Sequence, residues 1–452
     1  MERVFGFAFD GNGFTRVVAN DGMAWEHADA NRGRLLATLR LQYPDGLAER
    51  GFRLLHPETG EPYSGSRRHL VATCRSIANF SAGALVDGPD WCADAAEHGL
   101  AFLRGAHRGD DGGYHLVVDA DGKPVDRTRS AYGHAFVLLA YARAAAAGLD
   151  GAEADLAATH RLIDERFCDS AGMLRSDCDP EWVEREPYRG QNANMHACEA
   201  SLAAYEATDD ETYLDRARRL ARTITVDLAS ETDGLLWEHY TTDWDHDFEY
   251  NAEEPRHQFR PPGYQPGHHV EWAKLLALLD RYDDATAPVD AGRGAHAAAG
   301  ADGYVPEGGW FARGVELFDA AVDHGWTENG FVYTHDAAGA TLVPDQYGWA
   351  LAEALGASAA LAERAAARDD AAAADRLHEW NRRLSVCTDL FRGPAGLWYE
   401  KRFAAAAGGD LVAPDPPGVE PDYHPASAYF ECWRSAPTAP PDDVDDERGA
   451  TN

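Results

Sequence analysis

The feature that most constrains this chain is an internal repeat. A glycine followed by a bulky residue and a short extended run occurs six times: Gly51-Phe52-Arg53-Leu54, Gly113-Tyr114-His115-Leu116, Gly172-Met173-Leu174-Arg175, Gly234-Leu235-Leu236-Trp237, Gly330-Phe331-Val332-Tyr333 and Gly396-Leu397-Trp398-Tyr399. The intervals are about 62, 59, 62, 96 and 66 residues. One Gly-aromatic pair is commonplace, but six at near-constant spacing define a repeating architecture. That overrides the two or three domains that 452 residues would otherwise imply. Residues 54–64 (LLHPETGEPYS), 117–127 (VVDADGKPVDR) and 333–343 (YTHDAAGATLV) pass through a turn into a second run and read as hairpins. The long interval contains an Ala/Gly-rich stretch at 284–309, read as a surface insertion.

Between the hairpins the pattern is helical. Thr208 and Glu211 read as a capping box ahead of Leu214, Ala217, Ala221 and Ile224, which share one face. A second kind of helix follows the hairpins, apolar nearly all round: AYGHAFVLLAYARAAAAG, NMHACEASLAAYEAT, HVEWAKLLALLDRY and QYGWALAEALGASAALAER. Such helices are buried ones. Six pairs of an amphipathic outer and a buried inner helix predict an all-α fold, an (α/α)6 barrel over residues 1–435 with short hairpins at one mouth. Residues 436–452 read as a disordered acidic tail.

Charge bounds the partners. With 76 acidic and 41 basic side chains the net charge is −35, and only Lys123, Lys274 and Lys401 are lysines. Such a chain repels nucleic-acid phosphates and anionic lipid. A hydrophobic content of 45% supports a large core rather than disorder, so the acidic residues read as the surface of a protein from a high-salt cytoplasm. The start, MERVFGFAFDGNGF, lacks the layout of a signal peptide, and there is no run of 18 apolar residues. The expectation is a cytoplasmic protein. Seven cysteines without a CxxC pair, with Cys74 and Cys198 in apolar helical patterns, read as free thiols rather than disulfides or a zinc site.

The inner helices begin just after the extended regions, so their N-terminal ends should converge. One polar residue per repeat, in shared phase, lies there: Arg75, His134, His196, His268, Glu353 and His424. Asn192, His196 and Glu199 fall at i, i+4 and i+7 on one helical face, and His268 and Glu271 at i and i+3. A carboxylate one turn from a histidine can fix its tautomer and raise its basicity. His424 opens the last inner helix ahead of a proline. The neighbouring pair His268-His269 faces two directions, so no metal site is expected. HExxH, GxSxG and GxxxxGK[ST] are absent from the sequence. Glu199, Glu271 and Glu353 could form an acid/base pair for glycoside hydrolysis. Packaged with histidines, they read better as orienting groups. Trp182, Trp237, Trp244, Trp272, Trp349 and Trp398 lie near these segments, most of them as core and some as platforms for a sugar face.

The segments RHLVATCRSIANF, AYGHAFVLLAYA, YRGQNANMHACEA, PGHHVEWAKLL, WALAEAL and DYHP resemble, in this order, the N-acylglucosamine 2-epimerase superfamily, which also holds cellobiose 2-epimerases, bacterial mannose isomerases and sulfoquinovose isomerase. The likeness runs from about Leu35 to Trp433, and YRGQNANMH is closest to the mannose and aldose–ketose isomerase branch. The resemblance implies the barrel, a monosaccharide substrate and cofactor-free isomerisation. It makes His268 and His424 the acid/base pair and assigns Arg75, Tyr132, Asn192, His196, Arg260 and Glu271 to the pocket, to which phase adds Glu353 and the aromatic reading adds Trp349. In that scheme His268 helps open the sugar ring, and His424 carries the C2 proton to C1 through a cis-enediolate. Glu420 and Gln346 depart from the family, where basic residues are usual, and bear on the far end of the sugar. The alternatives are 2-epimerisation by the same residues, a glycoside hydrolase on the same barrel, and a sugar-binding protein without catalysis.

Overall fold

The computed structural model describes residues 4–7, 17–20, 28–283, 308–405, 408–416 and 418–436. The expected insertion and acidic tail therefore lie almost entirely outside the described residues. Twelve α-helices are present among them: α1 (Ala28–Gln42), α2 (Leu70–Leu85), α3 (Trp91–Phe102), α4 (Ala131–Ala146), α5 (Ala152–Arg166), α6 (Gln191–Thr208), α7 (Glu211–Arg222), α8 (Pro266–Tyr282), α9 (Gly309–Gly325), α10 (Gly348–Ala366), α11 (Ala371–Cys387) and α12 (Tyr423–Arg434).

The even-numbered helices form the inner ring. Each packs on the next, and α12 returns to α2. Outer helices α3, α5, α7, α9 and α11 each lie on the inner helix that precedes them, while α1 lies on α12. The two ends of the barrel sequence thus form the last hairpin and close the circle. Composition explains the layers. Helix α10 buries nearly every residue, whereas α7 buries one stripe that includes Leu214, Ala217, Leu220 and Ala221. One continuous apolar core runs from Leu35 to Cys432.

The repeated glycines mark where each outer helix turns back toward the mouth. Gly51, Gly172, Gly234 and Gly396 have φ of +68°, +80°, +84° and +87°, a conformation open to glycine at little cost. In the second repeat Gly112 takes this role. The expected hairpins are present: residues 117–119 pair with 124–126, 334–335 with 341–343, and Leu55 bridges Pro62.

A second regularity fixes the functional end. The extended residues just before an inner helix pair antiparallel with those of the next repeat: 67–69 with 117–119, Arg129 with Cys178, 189–190 with 239–240, Tyr264 with His335, and 346–347 with 401–402. These ladders tie the N-terminal ends of five inner helices into one rim.

One local reading is corrected. Thr208 does not cap α7: its hydroxyl donates to Ala204 O, and the Asp210 carboxylate accepts from Thr212 N as the cap. Asp is as good a cap as Thr and lies two residues nearer the first turn. All seven cysteines are free, with Cys74 and Cys198 fully buried. No described helix is long and apolar enough to cross a membrane.

The net charge of −35 opposes compaction by self-repulsion, and salt screens it. The melting temperature should therefore rise as NaCl goes from about 0.1 to 1 M, where the Debye length falls from about 10 to 3 Å. A melting temperature independent of salt would show that the acidic surface carries no folding cost.

Candidate active site

All six inner helices send a side chain from their first two turns into one cavity: Arg75 from α2, Tyr132 from α4, Asn192 and His196 from α6, His268 and Glu271 from α8, Trp349 from α10 and His424 from α12. Gln258, Phe259, Gln265, Tyr333, Tyr347, Glu400, Val419 and Glu420 complete its wall, and the space, counting its open mouth, is about 510 Å³. Local sequence sets the two histidines against one indole. Pro266 suits the first turn of α8, where no N–H is needed. A Cβ on Gly267 would lie 2.3 Å from Trp349 Cη2, so only glycine admits the ring there. The Trp349 ring is 5.2 Å from that of His268 and 5.9 Å from that of His424, centroid to centroid.

Each histidine is held from behind. His268 Nδ1 lies 2.8 and 2.9 Å from the carboxylate oxygens of Glu238. Gln191 secures that carboxylate, donating from Nε2 at 2.8 Å while its Oε1 accepts from Trp272 Nε1 at 2.8 Å. Burial opposes ionisation of Glu238, but His268 and Gln191 outweigh it and hold the carboxyl below its usual range. Nδ1–H is thus the donor, and Nε2 is left for the cavity. Glu271, the expected partner three residues on, does not back His268. Its Oε1 stands 3.7 Å from His196 Nδ1 and has no hydrogen-bond partner. Burial, reinforced by Glu353, pushes its carboxyl well above the usual range, so Glu271 is neutral.

His424 Nδ1 is 2.8 Å from Glu353 Oε1, and its Nε2 is 3.7 Å from Glu420 Oε1. Burial disfavours the imidazolium, yet Glu420 and Glu353 together push the ring up to about 9. Glu420 also pairs with Arg75, which donates to Val419 O at 3.0 Å and to the Tyr132 hydroxyl at 3.1 Å. Against burial, Arg75 and then His424 bring Glu420 down to about 2. His196 Nδ1 bonds Glu199 Oε2 at 3.0 Å, as the i,i+3 spacing implies, and burial keeps the ring neutral, at about 4.

Other expected residues stand elsewhere. His134 is structural, with Nδ1 2.7 Å from Ser130 O and Nε2 accepting from Tyr114 N at 3.1 Å. Tyr132, two residues earlier, is what α4 presents to the cavity. Glu353 lies behind His424 rather than on the wall. Arg260 is paired with Glu186 and stacked 4.1 Å over Tyr188, in an adjoining cavity that shares Tyr132, Asn192 and Phe259 with the first. Gln346 donates to Thr327 Oγ1 at 2.8 Å and is not on the wall, so of the two departures from the family only Glu420 faces the cavity. Of the six tryptophans only Trp349 lines it; Trp272 is core and Trp182 packs on Phe167. Glu238 and Gln191 escaped the reading of spacings. Glu238 carries a weak signal, a charged residue four after a repeat glycine in an apolar run. His196, Glu199 and Glu271 bring one ligand atom each within 4.8 Å, close enough for a metal ion. Here His196 Nδ1 and Glu199 already bond each other, and Lys274 Nζ lies 3.7 Å from Glu199.

The family model of N-acylglucosamine 2-epimerase (GlcNAc 2-epimerase) matches residues 51–428. A D-mannose isomerase of Marinomonas mediterranea is 34% identical over 391 residues, 86% of this chain and 92% of that protein. A crystal structure of D-mannose isomerase superposes with a TM-score of 0.79 at 32% identity, covering 91% of this chain and 99% of that one. The cellobiose 2-epimerase of Spirochaeta thermophila, at 19% identity and a TM-score of 0.70 over 90% of this chain and 97% of its own, shares the (α/α)6 fold. The chain belongs to the N-acylglucosamine 2-epimerase family and is an isomerase or epimerase.

Proposed function

We propose that this protein is a cofactor-independent aldose–ketose isomerase that interconverts mannose and fructose. One observation carries the reading: His268 and His424 present Nε2 to a single cavity across Trp349, each fixed through Nδ1 by a buried carboxylate. The name of the 34%-identical relative, D-mannose isomerase, supports the substrate class.

The charge on His424 orders the steps. With Glu420 and Glu353 beside it, His424 enters as an imidazolium and is an acid at neutral pH. It gives a proton to the ring oxygen while His268, acting as base through Nε2, takes the proton of the C1 hydroxyl, and the ring opens. His424 is now neutral and has become the base. It removes the C2 proton as protonated His268 returns a proton to O1, giving a cis-enediol. His268 then takes the O2 proton, and His424 delivers its proton to C1, leaving the 2-ketose. Reversal of the first exchange closes the ring and restores both charges. Arg75, Tyr132 and neutral Glu271 are donors suited to charge that develops on oxygen in a cavity poor in water.

Glycoside hydrolysis fits less well. Glu353 is engaged by His424 and Lys274, and Glu199 by His196 and Tyr423, so neither oxygen pair is free for attack or for a water.

Three measurements test the proposal. With mannose in deuterated buffer, NMR should show fructose and deuterium at C2 of recovered aldose. His424→Ala should lose both, and retained exchange at C2 would refute the assignment; glucose as the sole product would make the protein a 2-epimerase. Glu238→Ala should lower kcat by at least about 10²-fold, since general acid–base work of this kind contributes about 10²–10⁴-fold. Because the free enzyme must enter with His424 protonated, kcat/KM should hold through neutral pH and fall above about 9. Glu420→Gln removes a negative charge beside the ring, so this alkaline limb should move to lower pH; an unmoved limb would count against His424 as the entering acid.

A further inference from the structure

Of the three lysines in the chain, one is inside the barrel. Lys274 lies on α8, 3% exposed, beneath the floor of the cavity. Its ammonium group bonds Glu353 Oε2 and stands 3.7 Å from Glu199 Oε1. Those two carboxylates come from α10 and α6, and each holds a different cavity histidine: Glu353 holds His424 at 2.8 Å, and Glu199 holds His196 at 3.0 Å. A continuous chain of contacts runs His424–Glu353–Lys274–Glu199–His196 across four inner helices.

The other ionisable groups around the ammonium do not replace it. Glu271, on α8 itself, is neutral, and Tyr423 of α12 donates its hydroxyl to Glu199 Oε1 at 3.0 Å. Arg75 of α2 lies 4.8 Å from the Tyr423 ring on its far side and is neutralised by Glu420. Burial opposes charge on Lys274, but Glu353 and Glu199 outweigh it and keep the amine protonated. Lys274 in turn is what most strongly opposes the burial penalty at both Glu199 and Glu353.

We propose that Lys274 is a positioning residue for the isomerisation: its ammonium is the shared counterion that keeps Glu199 and Glu353 ionised, and so fixes the tautomers of His196 and His424 together. The inference rests on the reading of His424 as the proton carrier. Removing a cation from a buried cluster raises the proton affinity of every group left in it. Without Lys274 the cluster takes up a proton at neutral pH, on the Glu199–His196 pair or on Glu353. A protonated Glu353 no longer orders His424 as its charged partner, and a protonated His196 turns from a neutral ring into a cation facing the sugar.

The test is Lys274→Met, with Lys274→Arg as the variant that keeps the charge. Because Lys274→Met strands two buried carboxylates at a cost to folding, Lys274→Met combined with Glu199→Gln removes one of them. In the methionine variants kcat at neutral pH should fall about 10²-fold with KM within about threefold, a split expected when proton transfer rather than binding is damaged. The acid limb of kcat/KM should move up by at least about one pH unit in Lys274→Met, and Lys274→Arg should restore it. NMR titration of the His196 ring, which needs no sugar, should show its midpoint climbing from about 4 in Lys274→Met. A structural role alone would lower the melting temperature while leaving the limb and the titration in place, and that result overturns the proposal. If the titration moves but the wild-type protein exchanges no C2 hydrogen, the counterion role stands and the isomerase reading fails.

Discussion

The site depends on keeping ions in a place with little water. Glu199, Glu238 and Glu353 are all but inaccessible, and each remains ionised only because a partner sits within bonding distance. Stripping water from a single charge costs several kcal/mol, and removing one member of a buried pair typically costs about 3–5 kcal/mol. The partners come from different helices: Glu353 of α10 with Lys274 of α8 and His424 of α12, and Glu199 of α6 with Tyr423 of α12. Electrostatic satisfaction therefore demands a particular register among four inner helices. The barrel positions the charges, and the charges in turn penalise any other arrangement of the barrel.

That register is reachable because the rim is built the same way around the ring. The segment before each of the first five inner helices pairs with the next repeat, so neighbouring helix starts are fixed in height. Side chains in the first two turns then meet at one level. The arrangement also lets a residue serve a neighbour's helix, as Glu238, next to the strand that pairs with 189–190, serves His268.

Legibility in the sequence followed the same division. The six-fold repeat could be read because its units solve one local problem alike, a turn (left-handed in five of the six) followed by an extended run and an apolar helix. Phase along the repeat located Arg75, His196, His268 and His424, since a polar residue at the start of a buried helix needs a reason to be there. Phase failed at α4, where His134 serves the scaffold and Tyr132 the cavity; only the family likeness pointed to Tyr132. Spacing within one helix found Glu199 behind His196 but misplaced Glu271, because the carboxylate behind His268 arrives from another segment across 30 residues. Lys274 was invisible for a related reason. A lysine near the middle of a helix reads as a solvated face, and only the packed ring shows that this one points inward.

The balance of charge inside the barrel bears on how so acidic a chain would run the proposed proton chemistry at neutral pH. Around the cavity Arg75, Lys274 and protonated His424 face Glu420, Glu353, Glu199 and Glu238, three cations against four anions, with Glu271 carrying its proton. The chain as a whole carries −35. A long-range field of that sign would raise every proton affinity in the site if it reached there, but it is screened over about 8 Å at physiological salt and about 3 Å at 1 M. Pairs held at 2.8–3.0 Å in a dry interior are screened far less. The protonation state of His424 is consequently set by Glu420 and Glu353 and is insulated from the number of carboxylates on the surface. Exterior charge can then follow the demands of the solvent while the charges around the cavity are set by one another, which is why the most conspicuous number in the composition says so little about the reaction.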